Sequence, residues 1–392
     1  MSWWQVFRRE LKTIFTDTAL LVTVFGGVVM YSFLYPQPYI KQLPREQSIV
    51  VVNLDNTSTS RKLERMVDAT PQVEIKQHAY SLEEAKQQFL SGEVHGILVI
   101  PRHFNRDLLL GLSPTLAYAG DAAYFLIYGT IVEGLATAGG TLSAQAKVAR
   151  MVMSGDNLVL ASKQYTPIEL SMQPVFNPSN GYIHYIVPAV FVLILHQTLL
   201  VAGGLVGAGR NELTQAGKTG YWHQQAPLSI WSARCLILVL MYIPLAMYYF
   251  GFSFNYYQIS RLANMAEMLT IMLPFLVATA SLAILIGELL PRRELATVIV
   301  VASSLPLVFS AGFVWPTSEL PQLLQYLAQL APSTAGINAF LRINQMGASL
   351  EQVLPYVWQL TAQALVYGLL AIILIGKKAS RFQRTAQIKT ID

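Results

Sequence analysis

The chain has 392 residues, of which 53% are hydrophobic and 12% charged, with a mean hydropathy of +0.43 and a formal charge of +5. That balance is too apolar for a soluble chain of this size and implies a polytopic membrane protein carrying a soluble part. The basic residues sit beside apolar runs, which speaks for lipid and against nucleic acid, and a single cysteine, Cys235, excludes an intrachain disulfide.

Residues 1–17 predict a cytoplasmic amphipathic helix. Trp3, Trp4, Phe7, Leu11, Ile14 and Phe15 recur at helical spacing, with Gln5, Arg8, Arg9 and Lys12 on the other face. Such a helix lies flat on anionic lipid, with Trp3 and Trp4 as interfacial anchors. Residues 18–35 form the first span, ended by Pro36-Gln37-Pro38. It lacks a small-x-small cleavage site, so it reads as an anchor rather than a signal peptide.

Residues 36–182 have the composition of a soluble α/β domain. Strands are expected at Ser48–Leu54, Val73–Lys76, Val94–Ile100 and Thr115–Ala119. Helices fall between them: Ser60–Ala69 after the capping residues Asp55-Asn56-Thr57, and Leu82–Leu90 behind the capping pair Ser81 and Glu84. The alternation predicts a small, mainly parallel sheet. Ala122 to about Lys163 is a weakly apolar helical stretch expected to bend near Gly139-Gly140. His78, His95 and His103 have no ligand spacing and read as ordinary surface residues.

Residues 183–376 hold five more spans, expected at Ile183–Gly207, Ile230–Phe252, Leu269–Leu290, Ala296–Phe313 and about Val357–Ile375. His196 and Gln197 lie in mid-membrane, where a polar group faces the bundle interior or a cavity; they read as hydrogen-bonding glue or as substrate contacts. Glu267, Glu288 and Glu294 sit at span ends, where water is expected to reach them. Gly217-Lys218-Thr219 looks like the tail of a phosphate-binding loop, but Glu212 stands where that loop needs glycine. After Ala296–Phe313, Trp315-Pro316 marks the water interface, with Trp315 as a third anchor. Ser318-Glu319-Leu320-Pro321 then starts a helix of about ten residues with Leu323, Leu324, Leu327 and Leu330 on one face. Residues 318–345 are thus expected to be short interfacial or re-entrant helices packed against protein. Residues 377–392 form a basic tail. Lysine and arginine concentrate before the first span, at Arg210 and Lys218, at Arg292 and Arg293, and in the tail. The positive-inside rule then puts both termini in the cytoplasm and the α/β domain outside.

The ordered combination Ser310-Ala311-Gly312, Pro316, Glu319-Leu320-Pro321, Leu324, Leu327, Pro332 and Thr334 resembles the end of the permease subunit of type-2 ABC exporters. The order of interfacial helix, span, large external domain and five spans extends that resemblance to the whole chain. It implies a polytopic α-helical protein of six spans with an extracytoplasmic α/β domain inserted after the first. It also implies a bacterial inner-membrane location and a dimer with a second copy or paralogue. No cofactor is expected on this chain: ATP would be bound by two copies of a separate ATP-binding subunit. Arg210, Glu212 and Lys218, in the loop Arg210–Gln225, match the place of that family's coupling helix. His196, Gln197, Ser310 and Gly312 are the candidates for the substrate path. The resemblance suggests an amphipathic or lipid-like substrate, and the large domain suggests a periplasmic adaptor and outer-membrane channel as further partners. A membrane receptor sensing a ligand through the external domain is the alternative, and it would need a cytoplasmic output domain.

Overall fold

The computed structural model describes residues 1–40, 44–155, 157–159, 175–177 and 181–388, with side chains described to residue 383. It divides into two compact units, Met1–Ile40 with Pro174–Asp392, and Lys41–Gln173. The expected end of the long helical stretch at Lys163, and Lys389 in the basic tail, lie outside the described residues, as does the side chain of Arg384.

In the second unit, strands β1 (Gln47–Asn53), β2 (Val73–His78), β3 (Gly96–Ile100) and β4 (Ala117–Gly120) form one sheet in the order β2-β1-β3-β4. β1 runs parallel to β2 and β3, whereas β4 is antiparallel to β3. The period-two alternation of β1 explains the layering. Ile49 and Val51 face a core with Leu63, Val67, Ile131 and Leu135, while Val50 and Val52 face Ala85 and Val94. Helices α3 (Ser58–Asp68) and α4 (Leu82–Leu90) are capped by Thr57 and Ser81, whose hydroxyls accept from the Ser60 and Glu84 N–H groups, each at 3.2 Å. Helix α5 (Phe104–Leu109) was not expected from the sequence. Helix α6 (Phe125–Met153) runs without interruption through Gly139-Gly140 and carries a buried stripe of Ile131, Leu135, Ala138 and Leu142. Intervals of four, three and four residues are what one helical face against a core requires.

The first unit is helical. Helix α1 (Trp3–Phe15) precedes α2 (Thr18–Tyr39, with a π turn at Val22–Gly26), then α7 (Ile186–Gln215), α8 (Pro227–Tyr256), α9 (Met265–Leu289) and α10 (Glu294–Ser310). Short α11 (Gln322–Ala328) and α12 (Pro332–Phe340) lead to α13 (Leu350–Ile388). Among the described residues, six helices are long and apolar enough to cross a membrane: α2, α6, α7, α8, α9 and α13. Helix α6 spends its apolar stripe on the sheet core, and α10, the expected fifth span, has 17 residues. At 1.5 Å per residue that is about 25 Å, short of the roughly 30 Å hydrocarbon core of a bilayer.

Helix α7 is the centre of this unit, buried on nearly all sides from Val187 to Ala208. Against it α9 approaches so closely that a Cβ on Gly207 would lie 2.6 Å from the Gly287 carbonyl carbon, and one on Gly203 2.5 Å from the Ala283 Cβ. This Gly203-x-x-x-Gly207 seam lets two helices meet backbone to backbone where lipid supplies no hydrophobic drive. The short-helix region differs from expectation. Leu323, Leu324, Leu327 and Leu330 of α11 and its flank are exposed, and it is α12 that is buried, from Pro332 to Ile337. The basic tail also differs: α13 continues as helix to Ile388, which places Lys377, Lys378 and Arg381 on the last span's own helix.

Candidate functional site

Three of the charges in the membrane unit that matter most were hidden by their surroundings: Glu10 among the polar positions of α1, Arg234 inside the apolar run of α8, and Glu288 at the end of α9. All three are buried, with Arg234 and Glu10 fully so. Arg234 sits two turns inside α8, where an unpaired guanidinium would be costly. The structure pairs it twice: its Nε donates to Glu10 Oε2 at 3.3 Å and its Nη1 to Glu288 Oε1 at 3.2 Å.

The network extends to the end of α7. Arg210 Nη2 donates to Glu10 Oε1 at 2.6 Å and to the Tyr221 hydroxyl at 2.7 Å, and the guanidinium lies between the Tyr221 and Trp222 rings, 5.2 Å from each centroid. From α13, Lys378 Nζ donates to Glu288 Oε2 at 3.2 Å, to the Glu288 carbonyl and to Asn211 Oδ1 at 2.6 Å. The Asn211 amide in turn donates to the Leu290 carbonyl at 2.7 Å. One chain of charge therefore ties α1, α7, α8, α9 and α13 together at a single end of the bundle. Glu10 lies outside the spans. Burial alone would push its carboxyl up, but Arg210 and Arg234 outweigh that and hold it below its ordinary value. Glu288 corrects the expectation of a water-washed helix end. Glu267 does cap α9: its backbone N–H donates to Asn264 Oδ1 at 3.0 Å, and its carboxylate accepts from the Asn264 N–H at 2.9 Å. Glu294 is exposed in the first turn of α10.

The expected loop Arg210–Gln225 is shorter than its sequence suggests, because α7 continues to Gln215. Its stop is a paired bond set: Gly217 N–H donates to the Thr214 carbonyl at 3.1 Å and Lys218 N–H to the Leu213 carbonyl at 2.9 Å, with Gly217 at φ +74°. Glycine there ends a helix. The remaining turn holds a 3₁₀ segment, Tyr221–His223, whose His223 ring stacks on Phe382 with centroids 3.9 Å apart. Burial holds the His223 imidazole below its usual pKa.

Arg210 is thus internal rather than presented to a partner, and Glu212 lies in the last turn of α7 rather than at a helix start. Its Oε1 accepts from the Arg293 N–H at 2.7 Å, capping α10, while Arg293 pairs with Asp17. Lys218 is exposed in the turn. His196 is 1% exposed and neither ring nitrogen has a hydrogen-bond partner among the described residues, so the expected glue is not made. Gln197 is half-buried. Half-buried Ser310 donates to the Pro306 carbonyl, and Gly312, at φ +90°, makes the turn after α10. Trp4 and Trp315 are exposed as anchors should be, at 52% and 54%; Trp3 donates its indole N–H to Ser232 on α8 at 2.9 Å.

No curated protein matches the chain. Residues 18–373 match the family described as ABC-2 family transporter protein. That match takes in the spans, the inserted domain and the network from Arg210 to Glu288, and such a family pairs with an ATP-binding subunit. The chain is a multi-pass membrane protein of the ABC-2 transporter family, a type-2 ABC permease.

Proposed function

We propose that this permease works in an ATP-driven exporter of the bacterial inner membrane, moving an amphipathic small molecule or lipid-like substrate out of the cytoplasm or its inner leaflet. Both termini would be cytoplasmic and the α/β domain outside. ATP hydrolysis would belong to two copies of the separate ATP-binding subunit, so this chain is not itself an enzyme. The observation that carries the reading is an asymmetry of burial. Helix α7 is enclosed by this chain alone, whereas α2 and α10 turn large apolar side chains outward: Val22, Met30 and Leu34 on one, Val298, Val301 and Leu305 on the other, each at least half exposed. A second copy or a paralogue set against these helices would complete a path from two halves, with Gln197, Ser310 and Gly312 beside it. His196, enclosed as it is, would reach substrate only if the bundle opened.

Coupling would act through the charged end. A push on the turn around Lys218 reaches α1 through Arg210 and α10 through Glu212. The α/β domain is the surface we assign to a periplasmic adaptor and outer-membrane channel. Since Cys235 is the sole cysteine and is buried, Cys235→Ser provides a clean background for cross-linking. Cysteines at Val22 and Val301 should link two copies in the membrane, and a reporter after Gln77 should read periplasmic while one after Lys218 reads cytoplasmic. An active transporter containing one copy and no paralogue would refute the dimer; a cytoplasmic signal from Gln77 would refute the orientation.

A further inference from the structure

At the charged end of the membrane unit lies a cavity of about 830 Å³, within the range of small-molecule sites, lined among others by Arg210, Asn211, Arg234, Glu288, Lys378 and Arg381. Four of these are cations and one is a carboxylate. Setting Arg381 aside, the cations Arg210, Arg234 and Lys378 outnumber by one the carboxylates they pair with among the described residues, Glu10 and Glu288. The internal pairing also leaves donors over. Arg210 engages Glu10 and Tyr221 through Nη2 alone, and Arg234 engages its carboxylates through Nε and Nη1. Arg210 Nη1 and Arg234 Nη2 are buried without a hydrogen-bond partner among the described residues, on side chains 6% and 0% exposed.

A buried donor on a charged group that meets no acceptor is expensive, and a ligand that supplies the acceptor recovers that cost. The guanidinium fork matches a planar or tetrahedral oxyanion, and Lys378 adds a point charge to the same wall. We propose that this cavity is a binding site for a phosphate-type anion, held by Arg210, Arg234 and Lys378. A phosphate group suits the walls better than a single carboxylate, since its tetrahedral oxygens can accept from more than one of these cations at once. Its depth fits as well. The apolar runs of α7, α8, α9 and α13 end at this level, and α1 with its exposed Trp4 packs beside it, which is where lipid headgroups lie. A headgroup phosphate and a free phosphate share this chemistry. The inference rests on membrane placement alone and not on the direction of transport.

The test uses the purified full-length chain in detergent, read by thermal unfolding. In micelles of a phosphate-free maltoside detergent, inorganic phosphate is titrated against chloride at matched ionic strength; in a second arm, phosphatidylglycerol is added to the micelles. At least one arm should raise the melting temperature by a few degrees, and in the phosphate arm the rise should saturate. In Lys378→Gln the gain should fall by more than half, while Lys62→Gln, on the α/β domain, should keep it. A gain from free phosphate in lipid-free micelles identifies a soluble anion, and a gain only with phosphatidylglycerol identifies the headgroup. No gain beyond chloride in either arm, or an undiminished gain in Lys378→Gln, would overturn the site.

Discussion

The two units of this protein use the same charged residue types in opposite ways. In the α/β domain the ion pairs are peripheral: Lys86 with Glu83, Arg106 with Asp107, and His78 beside Glu64, each with at least one largely exposed partner. In the membrane unit the central pairs are interior: Arg234, Glu10, Arg210 and Glu288 are nearly or wholly enclosed, with the partly exposed Lys378 at their edge. Water explains the difference. Around the α/β domain an ion gains little from a partner, because solvent already stabilises it. Inside the bundle the partner replaces solvent, so each charge depends on the next and losing one leaves the others stranded. A pair in the first setting can be lost one at a time. In the second setting the pairs act as a unit joining five helices.

The largest effect that would break this contrast comes from Arg234→Met. It leaves Glu10 without one of its two cations and Glu288 with Lys378 alone, so we expect a loss of about 3 to 5 kcal/mol in folding stability, or failure to insert. Denaturant unfolding in detergent checks it, and a cost below about 1 kcal/mol would show that water reaches the network.

Acid provides a second probe of the same end. The Glu10 carboxyl is held below its ordinary value of 4.5. The folded state thus binds that proton less tightly than the unfolded one, and stability rises with pH through this window. The pairing contributes fully above 4.5 and is lost as pH falls through the lower folded value. Trp3 and Trp4 fluorescence should report release of α1 only under that acid condition. In Glu10→Gln, release should already be present at neutral pH.

Close packing gives a smaller expected loss. Gly207→Ala places a Cβ against the Gly287 backbone, which no rotamer can relieve, and should cost about 1 to 3 kcal/mol. The capping change Ser81→Ala in the α/β domain should cost about 1 kcal/mol. At the bottom of the scale, Lys86→Gln should change stability by less than about 0.5 kcal/mol, since its pairing with Glu83 is solvent-exposed. If Lys86→Gln and Arg234→Met cost the same, the distinction between the two units fails.

Much of this architecture is decided locally and was legible in the amino-acid sequence. Apolar run length marks most of the spans, continuous β-branched apolar runs mark β1 and β3, and Thr57 and Ser81 announce helix starts through hydroxyl chemistry that acts within three residues. The order of these elements was enough to suggest the type-2 ABC permease arrangement. The reading weakened where a residue's meaning depends on a distant one. Arg234 reads as a lone charge inside an apolar run, and nothing nearby in sequence reveals that Glu10 and Glu288 lie beside it. One signal was available: an arginine two turns within a span is too costly to stay unpaired, and Glu10 is the only acid in α1. The same limit explains α6, whose composition suits a membrane but whose stripe is buried on a sheet, and Glu212, whose partner is a backbone N–H at the start of another helix.

The sequence by itself determined most of the elements, several of their caps and the apolar runs long enough for lipid, because those properties arise from neighbours a few residues apart. Only the tertiary structure decided which charges are buried together, which glycines let α7 and α9 touch, and that Arg210 faces inward. Those outcomes depend on pairs separated by up to 224 residues along the chain. Their energies exist only once folding has brought the partners into a shared low-dielectric space.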